Sequence, residues 1–510
     1  MSSLTTTPTD HARRAGPREW TGLVVLTLPV LLISIDSTAL GFAVPSLSED
    51  LAPSAGQLLW IVDVYGFVLA GLLITMGALG DRVGRRRLLL IGSVGFGIAS
   101  LLAAYAPSAP MLIAARALLG LAGATLMPST MSLLRNMFPH ERQRLLAVAI
   151  WASAFSAGSA IGPILGGWLL EHYWWGSVFL LGIPVMLVTL VAVPLLVPES
   201  SDPNPGRLDP TSVALSMASM FPAVYGVKTL AEHGPDLISI GTIALGVLFG
   251  VLFVRRQRRS SNPLIDLRLF SNRVFSVAIS TNLTIVFVLT ASLFFLTQYL
   301  QLVLDISPLR AGFVLLPGLI FSVVTGLIAV GLARRLGIGT IIAGGLSVVA
   351  VGMLLLTRAP VGDGSALVVV IFGLIGIGIG LVETVTNGAV LTAAPPERAG
   401  AASAISETAY ELGSALGVAL LGSLLTAVYR VRLEGIPGIP PEARQTLGGA
   451  GGATEGLPAE VARRVLEPAK EAFTAGLHLT SALTTVLLIG LAVLAGRLLR
   501  HRAPDGQRTD

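Results

Sequence analysis

The sequence contains no cysteine, which excludes disulfide bonds, thiolate metal sites and cysteine nucleophiles. Charged residues make up only 12% of the chain, whereas soluble proteins carry about 25%. Lysine occurs only at Lys228 and Lys470, so nearly all basic residues are arginine. With 53% hydrophobic residues and a mean hydropathy of +0.79, the chain has too few charges to cover its surface with groups that water solvates. Most of that surface must therefore face lipid.

The basic net charge does not indicate a nucleic-acid-binding protein. The net charge is +5 and the pI is about 9.9, but the arginines occur in short clusters between apolar runs and form no continuous basic face. The phosphate-binding lysine motif of the Walker type is also missing from the sequence. We therefore expect no nucleic-acid partner, no cofactor, no metal and no direct drive by ATP hydrolysis.

Long apolar runs dominate the chain. A helix needs about 20 mostly apolar residues to cross a bilayer. The sequence has fourteen such runs, and it predicts an all-α polytopic membrane protein with about fourteen transmembrane helices. The predicted spans are 21–45, 58–80, 88–105, 110–134, 145–170, 176–198, 211–230, 236–254, 274–300, 309–330, 338–357, 364–393, 399–429 and 473–500.

The positions of the arginines predict the orientation of these helices. If the N-terminal tail 1–20 is cytoplasmic, the arginine-rich short connections all fall on the cytoplasmic side, as the positive-inside rule requires. The short external connections then hold only Lys228, Arg310 and Arg358. A second cytoplasmic tail, 501–510, is predicted at the other end. Richness in arginine, alanine and glycine favours a bacterial source, and hence the bacterial cytoplasmic (inner) membrane. The arginines assigned to the cytoplasm are Arg82, Arg85, Arg86, Arg87, Arg135, Arg142, Arg144, Arg207, Arg255, Arg256, Arg258, Arg259, Arg268, Arg273, Arg334, Arg335, Arg398, Arg497, Arg500 and Arg502.

One predicted external connection is long. Residues 430–472, between the last two runs, begin with a stretch rich in glycine, proline and alanine and continue into a helical-looking stretch near 457–472. Long loops do not follow the positive-inside rule strictly, so the arginines in this segment do not disturb the orientation. We predict a flexible external loop that carries a short amphipathic helix.

The connection after the second run combines glycine, aspartate and arginine at close spacing. Its glycines allow a tight turn between two helices, and its aspartate can cap a helix end and pair with an arginine. Positive-inside charge alone would explain the arginines but not the spacing of glycine and aspartate. We predict that this cluster latches one conformation and releases it in another. The segment reads Gly77-Ala-Leu-Gly80-Asp81-Arg82-Val-Gly84-Arg85-Arg86-Arg87.

A second motif lies in the fifth run. Glycines spaced along one side of a helix let a neighbour approach closely, and a proline inside the helix bends it. Generic packing of small residues would explain a bare pair of glycines but not the whole pattern. The residues of the motif are Gly158, Gly162, Pro163, Gly166 and Gly167.

Taken together, these motifs resemble signatures of the major facilitator superfamily. The connection 77–87 is similar to the loop signature of that superfamily. The pattern that begins at Arg116 in the fourth run is similar to its arginine-containing helix motif. The glycine and proline pattern of the fifth run resembles the antiporter motif of its drug-exporting branch. The resemblance covers the whole chain and implies alternating access between two six-helix halves.

Fourteen helices rather than twelve imply the fourteen-helix drug:proton antiporter branch. The resemblance then implies an N-terminal half, 21–200, and a C-terminal half, 274–500, separated by two linker helices and a basic cytoplasmic loop in 201–273. Asp36 stands in a first-run pattern similar to the helix-1 motif of this branch. The pattern departs from that motif at Gly41, where an asparagine is usual.

Two further segments resemble a narrower subgroup of this branch. Asp63 in the second run resembles an aspartate of the quaternary-ammonium and dye exporters typified by QacA, SmvA and LfrA. The acidic segment 406–413 in the thirteenth run is also similar to that subgroup. The resemblance implies transport of lipophilic cations.

Carboxylates inside apolar runs support the same conclusion from physical chemistry alone. Such groups are costly in lipid and usually face a cavity or a partner. Arg116 is the only clearly intramembrane base that we expect, and it can neutralise one of them at most. The others must be protonated, hydrated or paired with something that arrives from outside, and a cation and a proton both meet that need. The five carboxylates are Asp36, Asp63, Glu383, Glu407 and Glu411.

Spacing suggests separate roles for some of these residues. Glu407 and Glu411 are four residues apart and share a helix face, so their like charges oppose joint ionisation. One of the two is expected to keep a proton when the site is empty, although one could instead line a vestibule near a helix end. Glu383 lies near Asn387. Arg116 is expected to organise a carboxylate rather than to touch cargo.

Aromatic residues near the carboxylates could hold a flat cation through cation–π contacts. Ordinary packing or contact with lipid is the alternative for each of them. The candidates are Trp60, Tyr65, Phe294, Phe295, Tyr299 and Tyr410.

These observations predict a proton-coupled antiporter that exports lipophilic cationic drugs, dyes and quaternary ammonium compounds by alternating access. Its partners would be small lipophilic cations, protons and membrane lipid, and it would act as a monomer. The alternative is an exporter of the same fold that carries another amphiphile, such as a lipid component or a metabolite. A membrane-embedded enzyme is a further rival, but the predicted runs show no constellation of a nucleophile with a base or of metal ligands.

Overall fold

The computed structural model of the protein describes residues 14–201, 209–260, 263, 265, 267–362, 364–394 and 399–499. Within these residues the chain is helical and contains no β-strand. The same part of the chain has fourteen helices long and apolar enough to cross a membrane, which confirms the prediction of an all-α polytopic protein. The predicted tail 501–510, most of the predicted tail 1–20, and Arg207, Arg398, Arg500 and Arg502 lie outside the described residues.

The first six spans form an N-terminal half. Leu181 interrupts the sixth span, which therefore consists of two helices. Ser54 caps the second helix, because its hydroxyl accepts a hydrogen bond from the Gln57 amide while the Gln57 side chain accepts one from the Ser54 amide. The helices are α1 (Pro17–Leu51), α2 (Ala55–Val83), α3 (Arg85–Ala104), α4 (Ala109–Met137), α5 (Glu141–His172), α6 (Ser177–Leu180) and α7 (Gly182–Leu196).

Two linker helices follow, α8 (Pro210–His233) and α9 (Leu237–Arg259), and they pack along each other. Asp209 caps α8 and binds Arg256 of α9, with 2.8 Å between Nη2 and Oδ1. This hydrogen-bonded guanidinium lowers the pKa of the Asp209 carboxyl group to about 2. Helix α8 also packs against helices of the N-terminal and C-terminal halves.

The last six spans form a C-terminal half. Two of its long helices contain a short π-helical turn, at Tyr299–Val303 and at Gly417–Leu421. A 3₁₀ turn, Leu267–Ser271, precedes the first of its helices. The helices are α10 (Arg273–Gln298), α11 (Pro308–Leu336), α12 (Ile338–Leu356), α13 (Ser365–Ala393), α14 (Ala399–Leu416), α15 (Gly422–Glu434), α16 (Leu447–Thr454) and α17 (Ala459–Leu498).

The two halves meet mainly along two helix pairs, α2 with α14 and α5 with α11. Small residues make both contacts possible. A Cβ atom on Gly66 would lie 3.3 Å from the Cβ of Ala415, and one on Gly312 would lie 2.8 Å from the carbonyl oxygen of Pro163. Such close backbone approach favours association of helices in lipid, where packing replaces the hydrophobic effect as the driving force.

The segment 77–87 is not the loop that the sequence predicts. Helix α2 continues to Val83 and α3 begins at Arg85, so Gly84 alone connects them. Its φ of +108° is in the left-handed region that favours glycine. The apolar run ends before the helix does, because arginine is a good helix former once the helix has left the apolar layer.

The connection 430–472 also differs from the prediction of a flexible loop with its own short helix. The helical stretch near 457–472 is the beginning of α17, which continues without a break to Leu498. A different short helix, α16, packs against α1 and α17. A Cβ atom on Gly448 would lie 2.5 Å from the Cβ of Ser48. The glycines that suggested flexibility therefore allow close packing.

Candidate functional site

A cavity lies between the two halves. Its empty volume, including the part open to solvent, is about 980 Å³. Helices α1, α2, α4 and α5 line one side, and α10, α11 and α14 line the other. The charged residues in its wall are Asp63, Arg116 and Glu411.

Asp36 and Arg116 form a buried ion pair at this cavity. The distance from Arg116 Nη1 to Asp36 Oδ2 is 2.6 Å, and both side chains are almost fully buried. Arg116 Nε and Nη2 also donate to the backbone carbonyls of Ile61 and Val62 in α2, at 3.1 and 3.4 Å. Its guanidinium Cζ lies 4.6 Å from the ring centroid of Tyr65. Arg116 therefore ties α4 to α1 and α2 while it neutralises Asp36.

The partner of Asp63 is a residue that the sequence predicts to lie in an external connection. Lys228 of α8 is 2% exposed, and its Nζ lies 3.0 Å from Asp63 Oδ1 and 4.0 Å from the ring centroid of Trp60. The prediction that Lys228 lies in an external connection is therefore wrong, as is the expectation that Arg116 is the only intramembrane base. A lysine can be buried here because the carboxylate and the indole ring replace the water around its ammonium group.

Glu411 is the third charged residue in the wall of the cavity, on the side of the C-terminal half. It is 7% exposed and, among the residues that the structure describes, it has no ion-pair partner. Its neighbour Tyr410 also lines the cavity and meets Phe155 of α5 edge to face, with 5.6 Å between ring centroids. This aromatic contact joins the two halves next to Glu411.

Glu383 and Glu407 lie beside the cavity rather than in its wall. Both are half-buried, and Glu407 is close enough to Glu383 and to Glu411 for their charges to interact. Neither has an ion-pair partner among the described residues. The three glutamates thus form one acidic group on α13 and α14.

The predicted aromatic residues are divided among several places. Tyr65, Tyr410 and Phe294 line the cavity. Trp60 lies against α8 instead, where it stacks on Phe221 with 6.1 Å between ring centroids. The remaining two are not brought to the cavity, because Phe295 lines a separate pocket and the Tyr299 hydroxyl donates to the carbonyl of Pro360.

The glycine motif of α5 faces two helices. Added Cβ atoms would lie 2.5 Å from the Leu31 carbonyl oxygen at Gly158, 2.0 Å from Thr38 Oγ1 at Gly162 and 2.9 Å from the Ala39 Cβ at Gly166. These three glycines therefore hold α5 against α1. An added Cβ on Gly167 would instead lie 2.7 Å from the Leu309 Cα of α11. With Gly312 packed on the Pro163 carbonyl, this end of the motif lies at the contact between the two halves.

The charge cluster of the α2–α3 junction is closed by a residue that the sequence analysis did not single out. Arg85 bonds Asp81, with 2.8 Å between Nη2 and Oδ1. Glu199, which follows α7, accepts hydrogen bonds from the backbone amides of Arg86 and Arg87 at 2.9 and 3.2 Å. A carboxylate at the N-terminus of α3 stabilises the helix, because its negative charge interacts favourably with the helix dipole. The latch thus joins α2, α3 and the end of α7.

Lys228 is the main functional candidate that sequence reasoning missed, although a signal was present. It lies inside the predicted run 211–230, seven residues after Phe221, and residues seven apart share one face of a helix. Hydroxyl groups in the cavity wall were missed for a different reason. Serine and threonine cost little free energy in a membrane helix, so the presence of Ser34, Ser159 and Thr290 in the sequence does not by itself indicate a site.

Comparisons with known proteins agree with this architecture. Residues 26–418 match the Major Facilitator Superfamily. The chain is 48% identical over 497 residues to the multidrug efflux pump LfrA of Mycolicibacterium smegmatis, an alignment that covers 97% of this chain and 99% of the relative. It is 34% identical over 483 residues to the methyl viologen resistance protein SmvA of Salmonella typhimurium, covering 93% and 98%.

The fold is also similar to that of solved transporters. A bacterial homologue of the human lysosomal transporter Spinster, in an inward-facing and occupied conformation, superposes with a TM-score of 0.65 at 17% identity. The superposition covers 96% of this chain and all of that one, 100%. The family match spans most of the chain, and the relatives align over nearly their full length. The chain therefore belongs to the major facilitator superfamily and is a multi-pass membrane transporter rather than an enzyme.

Proposed function

We propose that the protein is a proton-coupled antiporter that exports lipophilic cations, including drugs, dyes and quaternary ammonium compounds. It acts as a monomer in the bacterial cytoplasmic membrane with both termini in the cytoplasm. The observation that carries the proposal is Glu411, a buried carboxyl group in the cavity wall with no ion-pair partner among the described residues. A carboxyl group in such surroundings is stabilised by a proton or by a cation that enters the cavity.

The distribution of charge supports an exchange site in the C-terminal half. Asp36 and Asp63 are already neutralised by Arg116 and Lys228. Glu411 has no such partner in the described part of the chain, so it is the residue at which a proton and a cation compete. Tyr65, Phe294 and Tyr410 line the same cavity and provide ring faces for a flat or aromatic cation.

The transport cycle follows from this competition. A cation enters the cavity from the cytoplasm or the inner leaflet and displaces the proton from Glu411. The two halves then reorient about α2–α14 and α5–α11, the helix pairs along which they meet. A proton from outside displaces the cation and resets the carboxyl group. The nearby charge of Glu407 opposes joint ionisation of the two glutamates, which favours uptake of a proton in the empty state.

The energetics limit the stoichiometry. Moving one charge outward against 100 mV costs about 2.3 kcal/mol, and one proton moving inward returns the same electrical energy. A one-for-one exchange of a monovalent cation therefore draws only on the pH gradient. Glu383 and Glu407 could carry a second proton, which would let the membrane potential contribute. The relative named for multidrug efflux supports export. Methyl viologen is a divalent cation, so the relative named for resistance to it supports a cationic cargo.

The proposal is tested in everted membrane vesicles whose lumen has been acidified by respiration. Adding tetraphenylphosphonium to the outside should release lumenal protons, measured as recovery of the fluorescence of a ΔpH-sensitive acridine dye. Glu411→Gln should abolish this recovery, because an amide cannot exchange a proton. Glu471→Gln is the matched control, since Glu471 is exposed on α17, away from the cavity. Proton release that persists in Glu411→Gln, or no release by the wild type with any lipophilic cation, would contradict the proposal.

A further inference from the structure

Helix α8, one of the two linker helices, supplies a buried cation to the N-terminal half. Lys228 lies on α8 and bonds Asp63 of α2 at 3.0 Å, although the two residues are 165 positions apart in the chain. Both side chains are almost completely buried, at 2% and 0% exposed. The linker helices are therefore part of the charge distribution around the cavity and not merely a connection between the halves.

The surroundings of the Lys228 ammonium group are those that bind a lipophilic cation. It lies over the indole ring of Trp60, which in turn stacks on Phe221 at an interplanar angle of 12°. Phe67 closes the same cluster, 6.4 Å from Phe221 between ring centroids. A carboxylate combined with the faces of aromatic rings is a typical site for an ammonium ion. Here the chain itself provides the ion.

Asp63 is adjacent both to Lys228 and to the cavity. It is one of the residues that line the cavity, and only its Oδ1 is bonded to Lys228. Its Oδ2 is buried and accepts no hydrogen bond within the part of the chain that the structure describes. A buried carboxylate oxygen without a donor is unfavourable. The side chain is 0% exposed, so a cation in the cavity would stabilise Asp63 through its charge rather than through a direct bond. Arg116 is also close enough to interact with the charge of Asp63.

The sum of the charges around the cavity depends directly on Lys228. In the cavity wall and its two ion pairs, Asp36 and Arg116 cancel, as do Asp63 and Lys228, so an ionised Glu411 leaves a net charge of −1. Glu383 and Glu407, beside the cavity, contribute the same charge in every variant compared below. That value matches a cargo with one positive charge. Without the ammonium group of Lys228, an ionised Asp63 would raise the net charge to −2, which matches a cargo with two positive charges.

We propose that Lys228 is a tethered counter-cation that sets the valence of the transported cation. By cancelling the charge of Asp63 from the linker helix, it makes the cavity select monovalent over divalent lipophilic cations. This inference rests on the proposed function, since it concerns the cargo of the same cavity. It gives the linker segment of α8 and α9, which joins the two six-helix halves in the chain, a role in selecting the charge of the cargo.

A purely structural role for the pair is the alternative reading. The bond between Lys228 and Asp63 could simply hold α8 against α2. However, a buried ion pair stabilises a contact poorly, because the cost of removing two charges from water offsets most of their attraction. A structural role also makes a different prediction, because loss of a helix contact would weaken the binding of all cations alike.

The test compares two probes that differ in charge, tetraphenylphosphonium with one and dequalinium with two. Equilibrium binding is measured on the purified protein in lipid nanodiscs. In Lys228→Met, the affinity for dequalinium relative to tetraphenylphosphonium should rise by at least about tenfold, as expected for one additional charge acting through a medium of intermediate dielectric constant. Lys470→Met is the matched control, because the other lysine of the chain bonds Asp305 at 2.7 Å outside the cavity.

A second variant separates charge from packing. Asp63→Asn/Lys228→Met removes both charges, restores the net charge of −1 and should return the ratio of the two affinities to the wild-type value. Asp63→Asn alone leaves a net charge of zero and should weaken the binding of both probes. If Lys228→Met does not fold, stronger binding by the double variant than by Asp63→Asn still supports the proposal, and equal binding overturns it.

The outcomes distinguish this inference from the proposed function. Two results for Lys228→Met would overturn the role of Lys228 and leave the proposed cation transport intact. One is a ratio of the two affinities within about twofold of the wild-type ratio, because twofold is well below the effect of one charge. The other is an equal loss of affinity for both probes. If the wild type binds neither probe, the proposed function fails, and the inference about Lys228 fails with it.

Discussion

The carboxylates within the membrane spans are paired with bases in the N-terminal half, whereas those described in the C-terminal half are not. In the N-terminal half, Asp36 and Asp63 are each bonded to a buried base, at 2.6 and 3.0 Å. In the C-terminal half, Glu383, Glu407 and Glu411 have no ion-pair partner among the described residues. Charges held in a bonded pair respond little to their surroundings, whereas unpaired carboxyl groups respond to every proton or cation that reaches them. The difference separates a half with fixed charge from a half with exchangeable charge.

Close packing, in contrast, is shared by both sides of the cavity. On the N-terminal side, Arg116 joins three helices and the glycines of α5 are seated on α1. On the other side, Cβ atoms added to Gly413 and Gly417 would lie 2.4 and 2.3 Å from the carbonyl oxygens of Leu283 and Phe287 in α10. Helices α10 and α14 each continue into a π-helical turn, an irregularity that is frequent at functional sites. The two walls therefore differ in how their charges are paired and not in how closely their helices pack.

The largest expected effect comes from removing a fixed charge. Arg116→Met leaves Asp36 buried without its partner and removes the bonds from the guanidinium to the carbonyls of Ile61 and Val62. The free energy of unfolding should fall by about 3–5 kcal/mol, and cation transport should fall to background. Thermal unfolding of the purified protein and the vesicle assay measure the two effects. Asp36→Asn/Arg116→Met should recover part of the stability, and a stable single variant would show that this charge is not fixed by pairing.

A smaller effect is expected from the helix packing of the N-terminal half. In Gly162→Ala, the new Cβ would lie 2.0 Å from Thr38 Oγ1, so α1 and α5 must separate. Such overpacking should lower the stability by about 1–3 kcal/mol, measured by thermal unfolding. Gly388→Ala is the matched control, because nothing lies within 4 Å of its added Cβ. Combining Gly162→Ala with Thr38→Ala should restore stability, and a failure to do so would point to a cause other than this contact.

The exchangeable half should respond to a change in charge without loss of stability. Glu407→Gln removes a negative charge that interacts with Glu383 and Glu411 and that bonds no base within the residues that the structure describes. The dissociation constant for tetraphenylphosphonium should rise by about threefold, the effect of one charge through a polar medium at moderate distance. The unfolding temperature should not fall, in contrast to Arg116→Met. A marked loss of stability would place Glu407 among the structural residues.

A surface ion pair outside both halves provides the baseline. Asp209→Asn keeps a residue suited to cap α8 but breaks the bond to Arg256, and exposed pairs contribute about 0–1 kcal/mol. Because the pKa of Asp209 is depressed to about 2, the pair stabilises fully above the unfolded-state value of about 4, and this contribution is lost as the pH falls through about 2. Wild type and variant should therefore differ by a small, constant amount in unfolding temperature between pH 6 and pH 8. A difference that changes across this interval would show that another group titrates with the pair.

The fold was predictable from the sequence to a large extent. The number of spans and the all-α class follow from the length and polarity of the apolar runs, since lipid forces each run to satisfy its own backbone hydrogen bonds. The ends of helices were less predictable. Helix α2 extends beyond its apolar run to Val83, and α17 begins at Ala459, well before its run. Helices continue outside the apolar layer wherever their residues favour it, and hydropathy does not report that preference.

The site was predictable as a set of residue types but not as a set of contacts. Polarity alone singles out Asp36, Asp63 and Glu411, because a carboxylate in an apolar run is costly anywhere. Which of them is neutralised depends on distances between helices that are remote in the chain. Asp36 and Arg116 are 80 positions apart, and Asp63 and Lys228 are 165 apart. Neither the periodicity nor the spacing of residues along the sequence indicates how close these side chains lie in space.

The sequence by itself therefore determined that this protein is surrounded by lipid, how many membrane helices it has, and that these helices contain acidic residues whose burial is unfavourable. These properties depend on composition and on local runs, which a chain carries before it folds. Only the tertiary structure decided that Asp36 and Asp63 are paired, that Glu383, Glu407 and Glu411 have no ion-pair partner among the described residues, and that a linker helix brings Lys228 to Asp63. Electrostatic interaction depends on separation in space and on burial, and both arise only when the helices pack.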